Sequence, residues 1–536
     1  MTDSKIRMQE MFADREKIGE VLYLIFFVLA VGTRAVGVDE TVLIFGRIPL
    51  FMAVLAGCAF LFLCKLFVTK HTVKEYVIIA AFMLLAGLVY INTGSEKGLI
   101  LDFMMMLGMK KVSSKKVIGY GALIAGSLIL IKIFIGIFGF TSEIYYPQYR
   151  EGVGVMFRHA LGYAHPNTLH MNVIMLTMMA IYLITVFLKD RENGKILLLI
   201  ASLAAFLFNL YIFQYSGSRT GVLACFAYLI VNYYLYIRKS LGLFEKIVSY
   251  AALPLTAFTA IVLPLILPEN LFLLLNRTLF NSRFEIAKYY WSNNGISLFG
   301  RQLNNPVEKY KTYGLDMAQL YLFLQLGVIT FIVVSVLTIF FINRCIVKDK
   351  RAELAVMLAM LFVGIWEPLL YNISAKNFTF VFMGAALYSF MEKYEQEKEP
   401  EKVRDFTTDK AYVMLILKHI VAGVAFGIVA AVIFVAVTKE PTALYGAREE
   451  SESGESFGMD PGYYTKEQIA DFKKNGDIVI DYSGEDHPMY RYDESIAVME
   501  YHKKILSVGA WTGIMAFSAC QIIGAKRKKS CYNGSV

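Results

Sequence analysis

Apolar runs of about 20 residues recur along most of the chain, separated by short polar segments, the pattern of a helical protein that crosses a membrane many times. The runs predict spans at 19–36, 44–64, 75–92, 117–140, 168–188, 196–213, 220–237, 246–267, 315–342, 353–370 and 377–391, with a last pair at 412–437 and 503–525. Residues 98–109 are apolar but short for a span. Loop charge decides that case. Lys65, Lys70 and Lys74 mark the preceding loop as cytoplasmic, and Lys110, Lys111, Lys115 and Lys116 mark the following one. Two inside loops need an even number of crossings between them, so the short run is expected to cross, placing Asp102 inside a span. The total is about fourteen crossings.

The same rule orients the whole chain. Basic clusters fall at Lys189, Arg191 and Lys195, at Arg238, Lys239 and Lys246, at Arg344, Lys348, Lys350 and Arg351, at 393–410, and at Lys526–Lys529. Every loop assigned to the inside is basic, so both termini are expected in the cytoplasm. The first run is too long for a removable signal peptide, lacks a cleavage pattern, and reads as a retained span. The outer segments are then 37–43, 93–97, 141–167, 214–219, 268–314, 371–376 and 438–502. Segment 268–314 is polar and aromatic, with short helices predicted near 282–292 and 305–311. Segment 438–502 is acidic, with a Ser/Glu/Gly-rich linker at 446–458 and a short helix and strand expected in 465–482, making a small extracytoplasmic α/β unit. The chain divides into a polytopic core, 1–395, a charged cytoplasmic linker, 396–411, and a two-span module, 412–536.

Composition narrows the class. The 536 residues are 57% hydrophobic and only 18% charged, with mean hydropathy +0.52, too little charge to cover a soluble domain of this size. The net charge of +9 sits mostly in the inside loops and is no sign of a nucleic-acid partner. Of six cysteines, Cys58, Cys64, Cys225 and Cys520 lie in apolar runs and Cys345 and Cys531 in basic segments. No disulfide is expected, and no zinc-type spacing occurs.

Chemistry concentrates in four outer places. Residues 158–170 hold Arg158, His159, His165 and His170 at the mouth of a span, where Pro166 suits a first helical turn and Asn167 or Thr168 a cap. The ordinary reading is a polar helix cap. Residues 215–221 read Tyr-Ser-Gly-Ser-Arg-Thr-Gly. Small residues there let backbone N–H groups approach an anion, and Arg219 opens the next helix. The alternative is a snorkelling arginine, which the scarcity of cations at outer span ends disfavours. Ser216 is not in the strand–turn–helix setting of a hydrolase nucleophile. The long loop carries Arg277, Arg283 and Arg301; Arg277 and Arg283 are within about two helical turns of each other, and the guanidinium fork suits a diphosphate. Asp316 and Glu367, at outer span mouths, are candidate bases or simple caps.

Three of these places in order give a resemblance. Gly162-Tyr163-Ala164-His165-Pro166-Asn167 precedes a span, Ser216-Gly217-Ser218-Arg219-Thr220-Gly221 opens a later one, and a long outer loop with Arg277, Arg283 and Ser297–Gly300 closes at Asp316 in Leu-Asp-Met-Ala-Gln-Leu-Tyr321. Over residues 15–395 the chain resembles the O-antigen polymerase and O-antigen ligase group of bacterial membrane glycosyltransferases. The resemblance implies a GT-C-type helical fold in the cytoplasmic membrane. It also implies transfer, on the outer face, of a glycan carried on polyprenyl diphosphate. A polymerase adds the chain to a new lipid-linked repeat unit; a ligase adds it to another lipid acceptor. Ligases often place a histidine where this chain has Asp316, and 268–314 contains no histidine. That departure leans toward a capsular or exopolysaccharide polymerase and leaves the base open.

The expected site follows. Arg219, with Arg283 or Arg277, holds the donor diphosphate and stabilises the leaving charge. Asp316 or His165 positions or deprotonates the acceptor hydroxyl, and the product is inverted. Arg158, Ser216, Ser218, Asn167, Tyr321 and Glu367 complete the substrate contacts. No metal or cofactor is needed where arginines neutralise the diphosphate. The acidic module is expected to meet the cell wall, a chain-length regulator, or nothing. Two rivals remain: a lipid-linked oligosaccharide flippase, favoured by Asp102, and a sensor whose acidic outer segment is the working part.

Overall fold

A computed structural model describes residues 2–37, 43–44, 48–94, 96–140, 144–150, 154–304, 314–374, 376–391, 410–449, 461–480, 482 and 488–533. Eleven helices among these are long and apolar enough to cross a membrane, so the chain is a mostly helical, multi-pass membrane protein. In order the helices are α1 (Thr2–Val36), α2 (Leu50–Val68), α3 (Val73–Asn92), α4 (Gly98–Leu107), α5 (Ser114–Ile137), α6 (Pro166–Leu188), α7 (Gly194–Ser216), α8 (Arg219–Ile237) and α9 (Leu243–Ile266). There follow α10 (Glu269–Thr278), α11 (Arg283–Asn293), α12 (Val328–Val347), α13 (Arg351–Val363), α14 (Thr379–Met391), α15 (Lys410–Val437), α16 (Lys466–Asn475) and α17 (Glu494–Asn533). Three of the expected spans hold shorter helices: α4 with 10 residues, and α13 and α14 with 13 each.

One boundary moves. The span expected at 315–342 starts only at Val328. Ahead of it lie one turn, Ala318–Leu320, and a π turn, Tyr321–Gln325. Gly327 then breaks the run with φ +95°, and a Cβ there would meet the Gly300 nitrogen at 2.3 Å. Asp316 therefore precedes a separate buried piece of chain rather than capping a span. The linker at 396–409, the helix expected at 305–311 and most of the Ser/Glu/Gly-rich stretch lie outside the described residues.

Lipid tails are as apolar as leucine, so packing and polar contacts hold such helices together. Asn209 donates to Thr177 Oγ1 at 2.9 Å, joining α7 to α6, and Asn232 donates to Thr185 Oγ1 at 2.8 Å, joining α8 to α6. Helices α15 and α17 pair along Gly423, Gly427, Gly509 and Gly513, where an added Cβ would strike the facing backbone.

The charges sort the two ends of the bundle. At one end Lys65 donates to the Lys110 carbonyl at 2.8 Å, Lys110 pairs with Glu75 at 2.6 Å, and Arg351 donates to the Lys239 carbonyl at 2.9 Å. These are the basic loops of the sequence. The opposite end gathers the other segments: Arg34 reaches the Ile373 carbonyl, Tyr321 reaches Glu96, and Arg158 reaches Ser216.

Two features at this second rim were not expected. Residues 145–159 form an antiparallel hairpin, β1 (Tyr145–Arg150) with β2 (Gly154–His159), with Tyr145 opposite His159. The terminal module packs on it. Its sheet contains β3 (Leu444–Gly446), β4 (Pro461–Gly462), β5 (Ile478–Ile480) and β6 (Met489–Tyr492) in the order β4-β6-β3-β5, with β3 and β5 parallel. The helix and strand expected within 465–482 are α16 and β5. Tyr145 and Phe157 share a core with Leu444, Ile478 and Tyr492.

Candidate functional site

The stretch leaving β2 is drawn tightly into the bundle. Leu161 and Gly162 take left-handed turns at φ +46° and +81°, and the Tyr163 hydroxyl donates to the Ala35 carbonyl at 2.7 Å. Pro166 opens α6, as its lack of an N–H favours. The cap is His165, whose Nδ1 accepts from the Asn167 N–H at 3.1 Å; it is neither Asn167 nor Thr168. This leaves the Asn167 side chain free to accept from Arg158 Nη2 at 2.7 Å, while Arg158 Nε donates to the Ser216 carbonyl at 2.8 Å. The buried Arg158 thus ties hairpin, α6 and α7 together. His170 Nδ1 and Ser216 Oγ lie 3.0 Å apart, so Ser216 serves the scaffold.

The small-residue turn behaves as its composition requires. Gly217 is left-handed at φ +57° and ends α7, and Ser218 caps α8, its Oγ accepting from the Gly221 N–H at 3.3 Å. Gly221 allows α8 to approach α6: a Cβ there would sit 2.5 Å from the His170 ring. Arg219 is the first residue of α8. Its side chain is exposed and has no hydrogen-bond or ion-pair partner among the described residues. A cation at the positive end of a helix is unfavourable by itself, so side chain and helix end both call for an anion.

Between α10 and α11, Asn281 and Ser282 are both left-handed without being glycine. The turn is held from Asn276, whose carbonyl accepts from the Ser282 N–H at 3.0 Å and whose Oδ1 accepts from the Glu285 N–H at 3.2 Å. It separates the two loop arginines. Arg277 stays exposed in the last turn of α10, whereas Arg283 is buried at the start of α11. Arg283 Nε donates to the Trp366 carbonyl at 2.6 Å, Nη2 lies 3.2 Å from Glu367 Oε1, and Nε lies 3.7 Å from Asp316 Oδ2. Neither carboxylate caps a helix.

Burial pushes the Glu367 carboxyl from 4.5 up to about 7. Arg283 is the strongest opposing influence, the Asp316 charge adds to the rise, and His165 and Lys376 pull down. Burial also raises Asp316 above its ordinary range, against Arg283 and His165. Arg283, Asp316 and Glu367 therefore form one cluster, and both carboxyls feel the charge of His165. Two carboxyls facing one guanidinium can hold and release a proton near neutrality.

Other expected residues are engaged elsewhere. The Tyr321 hydroxyl donates to Glu96 Oε2 at 2.7 Å, and Gln325 donates to Glu96 Oε1 at 2.8 Å. Glu96, Arg34 and Lys376 were missed as site residues; for Arg34 and Lys376 the signal in the sequence is a cation at an outer span end. Among the described residues no three His, Cys, Asp or Glu side chains gather as a metal site. Compared with protein families, curated proteins and solved structures, the chain finds no match.

Proposed function

We propose that the chain is a glycosyltransferase of the polysaccharide-polymerase kind, moving a glycan from polyprenyl diphosphate onto a lipid-linked repeat unit. The observation that carries this reading is the Arg283–Asp316–Glu367 cluster, its arginine and glutamate buried and its aspartate partly exposed, at the same rim as the exposed Arg219, which has no partner among the described residues. The opposite rim is the lysine-rich one, which supports an outer-face position for the cluster in a bacterial cytoplasmic membrane. The donor diphosphate sits on Arg219. An acceptor hydroxyl attacks the anomeric carbon from the opposite face and gives its proton to Asp316. The bond from the anomeric carbon to the diphosphate oxygen breaks, and the diphosphate leaves with the electron pair. Arg283 already serves two carboxylates, so its part is to set their ionisation rather than to grip phosphate. Glycan transfer to a different lipid, as in a ligase, uses the same steps.

A flippase is the second reading, and Asp102 favours it: it is 1% exposed within α4, and its Oδ2 has no partner. The test is an assay of purified protein in lipid with polyprenyl-diphosphate repeat units, wild type beside Arg219→Ala and Arg219→Lys. A ladder of longer glycans, lost in Arg219→Ala and strongly reduced in Arg219→Lys, supports the transferase, because lysine lacks the bidentate fork. Movement of the donor across the bilayer without elongation would replace it with the flippase.

A further inference from the structure

The chain that follows α9 does not behave as an open loop. Leu267 and Pro268 are extended, at ψ +137° and +144°, so they end α9 and start α10 in a new direction. The 10 residues of α10 make a helix about 15 Å long, half the thickness of a bilayer's hydrocarbon core, too short to cross it. It nevertheless exposes apolar side chains: Leu271 is 45% exposed and Leu274 55%. These follow an exposed apolar row on the last turns of α9, formed by Phe258, Val262, Leu265 and Ile266. On a membrane-spanning helix such a row faces lipid tails. Because α9 starts from the basic stretch of Arg238, Lys239 and Lys246, α10 begins at the opposite rim.

The sides of α10 are sorted by chemistry. Phe272, Leu275 and Asn276 turn inward. The Phe272 ring lies 6.2 Å from that of Phe284 on α11, and Asn276 holds the turn between the two helices. Successive residues are about 100° apart around a helix, so Leu271, Leu274 and Thr278 share one exposed flank within about 60°. Glu269, Asn270 and Arg277 share the other exposed flank, with Leu273 as its one apolar member. Helix α11 fixes the arrangement beside it: Trp291 donates to the Ile261 carbonyl of α9 at 3.1 Å, and the Lys288 ammonium sits 5.2 Å from the centre of the Phe272 ring. A helix too short to span, packed on one side, apolar on one flank and charged on the other suits a membrane surface.

We propose that α10 lies flat in the headgroup–acyl boundary of the leaflet at this rim, with Leu271 and Leu274 among the acyl chains and Arg277 at the depth of the lipid phosphates. The occupant of the apolar flank is lipid, because that flank follows directly on the lipid-facing row of α9. Trp291, an indole at the end of a span, marks the same level. The exposed Arg277 lies about 60° around the helix from Leu274, where a long cationic side chain reaches headgroups while its helix stays at the boundary. Arg277 is thereby assigned to the bilayer surface and not to the carboxylate cluster, from which the left-handed turn at Asn281 and Ser282 separates it. The placement does not depend on the glycosyl-transfer reading.

The test uses the full-length protein in phosphatidylcholine nanodiscs and reads the emission that one further tryptophan adds to the three native ones. Leu273→Trp and Leu274→Trp are neighbours in sequence on opposite flanks. Acyl chains brominated near the headgroup should quench most of the emission added by Leu274→Trp and little of that added by Leu273→Trp. Aqueous acrylamide should do the reverse, treating Leu273→Trp like Tyr463→Trp, a position 67% exposed on the terminal module. Bromine near the chain ends should quench Leu274→Trp less than bromine near the headgroup. Where Leu274→Trp does not fold, Leu271→Trp carries the same comparison. Equal quenching of Leu273→Trp and Leu274→Trp by either agent would overturn the proposal. Quenching strongest from the chain ends, the mark of a spanning segment, would also overturn it. So would protection of Leu274→Trp from both agents, since protein, such as a second copy of the chain, would then cover the flank.

Discussion

Glu367→Gln tests the energetic core of the site. Glu367 is 8% exposed, and burial raises its carboxyl from 4.5 to about 7 even with Arg283 at 3.2 Å. At about 1.4 kcal/mol per pH unit, that gap is worth roughly 3 kcal/mol. The sign follows from proton counting. Between 4.5 and about 7 the folded protein keeps a proton that the unfolded chain has released. The contribution to stability is therefore complete below 4.5 and lost as pH rises through about 7. Glutamine keeps the volume and an acceptor for Arg283 but cannot ionise. The variant should gain on wild type by up to about 3 kcal/mol as pH rises from 5 to 8.5. Asp316 titrates in the same cluster, so the midpoint belongs to the pair. The assay is unfolding by SDS in mixed micelles, followed by circular dichroism across that pH range. A difference that is flat with pH, or a wild type that gains on the variant as pH rises, would refute the account, because the second is what an ordinary stabilising ion pair does.

Further outcomes follow from the same geometry. If Asp316 is the base, the rising limb of the transfer rate against pH lies above the ordinary carboxylate range, and Asp316→Asn abolishes elongation while farnesyl diphosphate still binds; elongation by the asparagine variant would exclude Asp316 as base. Arg158→Ala removes bonds to Ser216 and Asn167 and should cost about 3 kcal/mol of stability in the SDS assay. Gly98→Ala should cost about 1–3 kcal/mol by the same measurement, since its methyl would enter the Tyr371 carbonyl.

The spans were legible because bilayer thickness and loop charge act on composition, which needs no tertiary knowledge. The turn at Gly217–Gly221 was legible for a similar reason: glycine, serine and a following helix are local chemistry. The start of α12 was not. Residues 315–327 are as apolar as a span because protein covers them, and hydropathy does not distinguish a lining of protein from one of lipid. Asp316 and Glu367 could be nominated from their place near outer span ends, but their shared arginine could not be chosen. Arg277 and Arg283 differ little in sequence context; two left-handed residues, Asn281 and Ser282, direct one outward and the other into the bundle. The hairpin at 145–159 escaped because Tyr-Tyr-Pro-Gln-Tyr-Arg alternates weakly, and its Tyr145 and Phe157 pack against residues of the distant terminal module.

That module alters the weighing of a sensor against an enzyme. From the sequence, an acidic segment beyond a charged linker reads as a detachable part. In the structure it is bound to the strand that carries Arg158. His159 Nε2 lies 2.9 Å from Glu500 Oε2, Lys503 pairs with Glu500 at 2.5 Å, and Lys503 donates to the Phe157 carbonyl at 3.2 Å. Lower in the bundle, Trp511 donates to the Tyr211 hydroxyl at 3.1 Å, and Tyr211 donates to Ser507 at 2.9 Å. All these residues are buried, and removing 412–536 would strip His159 of its contact with Glu500 and Tyr211 of its bonds to Ser507 and Trp511. Loss of activity on truncation is thus expected of an enzyme as much as of a sensor. The two readings part instead at substitutions of exposed acidic residues of the segment, such as Glu467 and Asp471 on α16, which leave the His159–Glu500–Lys503 contact in place.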